Sequence, residues 1–139
     1  MSKVIRSIVY VFIILHGLAH LMATSVYWQL TESPDLVYDT AVLGGRVDLG
    51  ENGIWLYGLL WLIAGLGTAF AGIALFTRAA WAKPLLLTVT VFSLALCVLV
   101  IEAAKVGILI NLAILAALLP GLRTSGLRSR LTSQRGVGS

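Results

Sequence analysis

Long apolar runs separated by short polar segments dominate this chain. A helix that crosses a bilayer needs roughly 20 apolar residues. Four runs approach this length: 4–28, 53–76, 85–101 and 106–119. The third run qualifies if it begins near Trp81, and the fourth needs the residues around Lys105 and Pro120 to reach both surfaces. The predicted helices cover about 4–28, 53–77, 81–101 and 105–120.

The boundary between the third and fourth runs has no proline. Read locally, 85–119 could form a single helix of roughly 52 Å, much longer than the ~30 Å hydrocarbon core. That helix would also bury Glu102 and Lys105 near its middle. A break there brings both charges to the surface, so we expect two helices. The first run resembles a signal peptide in its basic start, but it is longer than a typical signal core, and we expect a spanning helix.

The charges are distributed asymmetrically around the predicted spans. Eight of the ten basic residues lie at the start of the first run, between the second and third runs, or after the fourth. The six acids lie in the first loop or at Glu102. The positive-inside rule then places both termini in the cytoplasm. The predicted fold class is an all-α integral membrane four-helix bundle, with a transmembrane domain over 1–122 and a basic cytoplasmic tail over 123–139.

The composition excludes an ordinary soluble domain. Of the 139 residues, 59% are hydrophobic and only 12% are charged, and the mean hydropathy is +0.98. A soluble domain of this size could not bury so much apolar surface. The net charge of +4 comes from residues beside the predicted spans, where anionic lipid headgroups attract them. We therefore expect membrane lipids as partners and no nucleic acid.

Glycines and aromatic residues indicate how the helices face their surroundings. Gly58, Gly65 and Gly72 recur every seven residues in the second helix, and such small residues let helices approach closely in lipid. We expect this stripe to be a helix seam. Four aromatic residues near the outer boundary fit an interfacial belt: Tyr27, Trp28, Trp55 and Tyr57. Trp61 lies deeper, where it either lines an internal pocket or faces lipid.

The segment "HGLAHLM" places His16 and His20 four residues apart within the first apolar run. Ionisable groups inside a membrane usually face the bundle interior or a watery cavity. His20 and Asn111 fall at similar depths in the outer half. We expect a polar pocket open to the outside, floored by His16. The predicted ligand-binding residues are His16, His20, Trp61, Asn111, Tyr27 and Trp55.

Other readings of the histidines stay open. They could be neutral groups that only pack the bundle. They could also act in a small intramembrane enzyme, with His20 as acid or base; the candidate catalytic residues are then His20, Glu51, Asp48 and Glu102. Histidines at i and i+4 can chelate a metal, but the glutamate of H-E-x-x-H is missing here, and we expect no metal site. The sequence identifies no cofactor.

The order "HGLAHLM", an acidic loop, "GLLWLIAGL" and "EAAKVGILINLAILAAL" resembles small bacterial four-helix membrane proteins of the uncharacterised or DoxX-like kind. In those proteins a similar acid-x-Lys-aromatic-Gly-x3-Asn run opens the last helix. Here Ala103 and Ala104 both stand between Glu102 and Lys105, and Val106 stands where the aromatic residue is usual. The resemblance implies a four-helix fold and little about chemistry. We expect a multi-pass protein of the bacterial inner membrane.

Two functions follow as expectations. The first is binding of a lipophilic or amphiphilic molecule (a lipid, quinone or isoprenoid) in the outer pocket, with the chain acting alone, as a homo-oligomer or as an accessory to a membrane redox partner. The alternative is acid–base catalysis on a lipophilic substrate, such as isomerisation, cyclisation or hydrolysis, through His20 and a nearby carboxylate.

Overall fold

The computed structural model describes residues 2–118, which form four helices and one short β-hairpin. Helix α1 spans Lys3–Tyr27, β1 Ala41–Val42, β2 Val47–Asp48, α2 Gly50–Phe76 and α3 Ala82–Leu99; α4 covers Lys105–Leu118. The predicted all-helical fold with four helices is confirmed. The bounds of α1, α2 and α3 differ from the predicted ones by one to three residues, α4 begins at Lys105 as predicted, and its predicted end at 120 lies outside the described residues. The predicted tail over 123–139 lies outside the described residues.

Three of these helices, α1, α2 and α3, are long and apolar enough to cross a membrane. The fourth is apolar but shorter within the described range. Large apolar side chains face outward along the helices, for example Ile63, Phe70 and Leu109, which are all more than half exposed. This surface is what a lipid environment accommodates and what water disfavours.

The predicted break between the third and fourth runs is confirmed. Helix α3 ends at Leu99, and the amide N–H groups of Ala103 and Ala104 both donate to the Val100 carbonyl in the following turn. Helix α4 then begins at Lys105. The Nζ atom of Lys105 lies 3.0 Å from Glu102 Oε2, and the side chains of both residues are exposed. The break between α3 and α4 therefore keeps both charges out of the bundle interior.

Consecutive helices run antiparallel, and α1 packs most closely on α2. The predicted glycine seam is confirmed and lies against α1: a Cβ added at Gly65 would lie 2.8 Å from the Gly17 carbonyl oxygen, and one at Gly72 would lie 2.7 Å from Ile14 Cγ1. Gly17 is the tightest point, because its added Cβ would lie 2.5 Å from the Ala69 nitrogen. Only glycine permits this approach of two backbones.

The hairpin was not predicted. Its strands pair antiparallel, with Ala41 opposite Asp48, and the Leu43 amide donates to the Leu99 carbonyl at the end of α3. Val42 is buried and packs in one core cluster with Tyr27 and Tyr57. The hairpin therefore covers one end of the bundle, called the hairpin end below, where α1 and α3 finish and α2 and α4 begin.

The expected aromatic belt is corrected in part. Trp28 and Trp55 stack on each other near the hairpin end, with ring centroids 5.4 Å apart, and Trp55 is exposed. Tyr27 and Tyr57 instead point inward, where they are 3% exposed and contact each other. The hairpin covers these two rings, and a sequence pattern alone could not reveal that cover.

Candidate functional site

Four polar side chains from three helices meet inside the bundle and form the polar cluster: His16 and His20 of α1, Ser93 of α3 and Asn111 of α4. His16 Nε2 lies 3.3 Å from Asn111 Oδ1. Asn111 Nδ2 donates to Ser93 Oγ at 3.0 Å, and Ser93 Oγ lies 2.7 Å from His20 Nε2. The hydrogen bonds thus lead from one histidine to the other through α4 and α3.

Helix geometry and packing place the two imidazoles together. Residues four apart share a helix face, and the rings of His16 and His20 lie with centroids 4.6 Å apart in an edge-to-face arrangement. Trp61 of α2 packs on the far side of His20, at 5.2 Å and nearly perpendicular. The close α1–α2 seam brings Trp61 into this position.

All four members of the polar cluster are buried, Ser93 completely and Asn111 almost so. A buried polar group without a partner is costly in an apolar surrounding, and each of these has at least one. The described residues do contain three fully buried polar atoms without a partner: the hydroxyls of Tyr27 and Thr68 and the indole nitrogen of Trp61. The members of the polar cluster are thus hydrogen-bonded to one another, unlike these three atoms.

A cleft of about 330 Å³ borders this cluster at the hairpin end. His16, His20 and Trp61 line its inner wall, and the loop after α1 contributes Asp35. Its lining also includes Met22 and Val106, which are 53% and 69% exposed. The cleft therefore opens between α1 and α4, close to the hairpin end.

The three predicted catalytic carboxylates do not line this cleft. The Asp48 carboxylate accepts a hydrogen bond from the Gly50 amide, which lowers its pKa. Glu51 accepts one from the Tyr38 hydroxyl, and this bond raises the pKa of Tyr38. Glu102 pairs with Lys105. Within residues 2–118, the hydrogen bonds of the two histidines go to Asn111 and Ser93 and to no carboxylate.

The predicted ligand-binding residues fall into three places. His16, His20 and Trp61 line the cleft. Trp61 is buried, so it lines an internal pocket and does not face lipid. Asn111 lies behind His16 and orients it. Tyr27 lines a separate cavity of about 240 Å³ beneath the hairpin, and Trp55 lies outside both cavities.

Three residues of the site were not predicted as such. Ser93 and Cys97 of α3 contact Asn111, and Asp35 lines the cleft. The spacing of Thr90, Ser93 and Cys97 on one face of α3 is the signal that could have indicated Ser93 and Cys97. For Asp35 we find no such signal, because it lies in an irregular loop whose path the sequence pattern does not define.

The polar cluster limits the chemistry that the site can perform. A serine hydroxyl 2.7 Å from an imidazole has the spacing of a nucleophile and its base. Ser93 is completely buried, however, and does not line the cleft, so a substrate in the cleft would not meet its hydroxyl. Over the described range, no three His, Cys, Asp or Glu side chains are grouped so that they could hold a metal ion.

In comparisons with protein-family models, curated proteins and solved structures, nothing matches this chain.

Proposed function

We propose that the chain is a multi-pass protein of the bacterial inner membrane with four spans and both termini in the cytoplasm. The outward-facing apolar side chains of the helices support insertion. The charges support the orientation, since Lys3, Arg6, Arg78 and Lys83 lie at the end opposite the hairpin and cytoplasmic segments are enriched in Lys and Arg. The hairpin end then faces outward.

Cysteine labelling tests this orientation in a Cys97→Ser background. We expect Asp39→Cys, at the hairpin end, to react with a membrane-impermeant maleimide added to intact cells. Ala80→Cys, which is exposed between α2 and α3, should react only after the membrane is opened. Labelling of Ala80→Cys in intact cells would contradict the orientation.

We further propose that the cleft binds a lipophilic or amphiphilic small molecule that enters sideways from the outer leaflet. The observation that carries this proposal is that both buried histidines line a cleft that opens between α1 and α4. Ligand sites are typically concave and mostly apolar with a few placed polar groups. The volume of about 330 Å³ suits a headgroup or ring, with an apolar tail extending past Met22 and Val106.

Asp35 supports a second candidate, acid–base catalysis on the same class of molecule. This acidic residue lines the same cleft as the two histidines, whereas Asp48, Glu51 and Glu102 have other partners. Binding alone needs no carboxylate, but proton transfer uses a pair of titratable groups. If catalysis occurs, Asp35→Asn should abolish conversion of the bound molecule and leave its occupancy unchanged.

Blocking the mouth of the cleft tests the binding proposal. Val106→Trp should lower the amount of co-purifying lipophilic molecule at least fivefold, because the indole would fill the opening without touching the polar cluster. Leu109→Trp is the matched control, since Leu109 is equally exposed on the same helix and does not line the cleft. Native mass spectrometry and solvent extraction of both variants measure the occupancy. Equal occupancy in both variants, or no bound molecule in the unmodified protein, would refute the proposal.

A further inference from the structure

The hydrogen bonds of the polar cluster have a single direction. Asn111 Oδ1 only accepts, so Nε2 of His16 carries the hydrogen in that bond. Asn111 Nδ2 only donates, and its two hydrogens go to Ser93 Oγ and to Cys97 Sγ. Ser93 therefore accepts from Asn111 and has one hydrogen of its own left to donate.

The Ser93 hydrogen goes to His20. Ser93 Oγ and His20 Nε2 are only 2.7 Å apart, and an imidazole nitrogen is a much better acceptor than a thiol sulfur. His20 Nε2 is therefore the acceptor in this bond. In a neutral imidazole one nitrogen donates and the other accepts, so His20 carries its hydrogen on Nδ1, whereas Nδ1 of His16 has none.

The Nδ1 atoms of the two histidines thus have opposite hydrogen-bonding roles. Nδ1 of His20 is a donor and Nδ1 of His16 is an acceptor. Neither atom is among the fully buried polar atoms without a partner in residues 2–118, and both residues line the cleft. If the side-chain amide of Asn111 is rotated by half a turn, its oxygen and nitrogen exchange places. Every hydrogen bond of the polar cluster then reverses its donor and acceptor, and the Nδ1 atoms of His16 and His20 exchange their roles. In either orientation the pair presents one donor and one acceptor.

We propose that this pair selects a lipophilic alcohol, that is, a molecule with a hydroxyl group at the end of an apolar body. A hydroxyl both donates and accepts, so it can bind both imidazoles, whose centroids are 4.6 Å apart. A carbonyl, ether or carboxylate oxygen only accepts and leaves one imidazole nitrogen unpaired. This inference rests on the proposed binding function and specifies its ligand class.

The first test measures the tautomers without any ligand. The chain has two histidines, so nitrogen-15 NMR at pH 8 of the protein labelled at the histidine ring nitrogens shows only these four atoms. We expect one ring protonated at Nε2 and the other at Nδ1. In Ser93→Ala, His20 should no longer be held in one tautomer, so the chemical shifts of its two ring nitrogens should average. Two rings with the same tautomer would overturn the inference and leave the binding proposal standing.

The second test measures selectivity in lipid nanodiscs with geranylgeraniol and its methyl ether as matched probes. We expect the alcohol to bind about tenfold tighter, because the ether leaves a buried nitrogen unpaired. Ser93→Ala should reduce this ratio to about twofold while both probes still bind, since Ser93 does not line the cleft. Equal affinity for both probes would overturn the alcohol inference alone, whereas binding of neither probe would count against the cleft as a binding site.

Discussion

Replacing Gly17 with alanine should destabilise the protein by about 3 kcal/mol or more, at the upper end of the range for overpacked sites. The added methyl group would lie 2.5 Å from the Ala69 nitrogen and 2.7 Å from the Gly65 carbonyl oxygen. Both are backbone atoms of α2, and neither can rotate away. The only relief is separation of α1 from α2, which would also loosen the contact of Trp61 with His20.

Gly67→Ala is the matched control for this substitution. Gly67 faces α3 rather than α1, and its added Cβ would lie 2.8 Å from Val89 Cγ1. That neighbour is the end of a side chain, so a small shift of Val89 accommodates the methyl group at a cost of about 1 kcal/mol. Denaturation of the purified protein in a mild detergent compares the two variants. A Gly17 variant as stable as the Gly67 variant would show that the α1–α2 seam does not limit the bundle.

The helices and their seam could be predicted because one-dimensional signals encode them. Run length and the cost of burying Glu102 and Lys105 gave four helices, and the spacing of Gly58, Gly65 and Gly72 gave the face that meets another helix. Neither signal says which helix is the neighbour. That α1 lies against this face follows from Gly17, a glycine whose partner is 48 positions away in the chain.

The polar cluster was predictable only in part. Two histidines on one face indicated a polar interior, but the partners of an imidazole depend on how three helices rotate about their axes. The enzyme reading of the sequence offered the acids as partners of His20, whereas in the structure His16 bonds to Asn111 and His20 to Ser93. The hairpin was not predicted because strands of two residues are too short to show an alternating pattern.

Asn111→Leu should be the most damaging change within the polar cluster. Leucine has a similar size and would fill the site, so the loss comes from the hydrogen bonds. His16 Nε2 would be left without a partner, at about 1–3 kcal/mol for a buried group left unpaired. Ser93 Oγ would lose one of its two hydrogen bonds and keep the one to His20. Polar groups of helices that have come apart within the membrane also find partners, which reduces such costs, so we expect a total of about 2–3 kcal/mol.

A double-mutant cycle with His16→Phe separates pairing from packing. If His16 and Asn111 stabilise the bundle through their shared hydrogen bond, then adding Asn111→Leu to the His16 variant should cost about 1 kcal/mol less than adding it to the unmodified protein. Thr68→Val is the control: Thr68 is buried, and its hydroxyl has no partner among the described residues. Removing that hydroxyl should leave stability unchanged or raise it, because no hydrogen bond is lost. Two results would contradict this expectation: additive costs in the cycle, or a Thr68 variant as unstable as the Asn111 variant. Either result would mean that these polar residues stabilise the bundle through their shape alone. The hydrogen bonds that orient the histidines would then contribute nothing to stability.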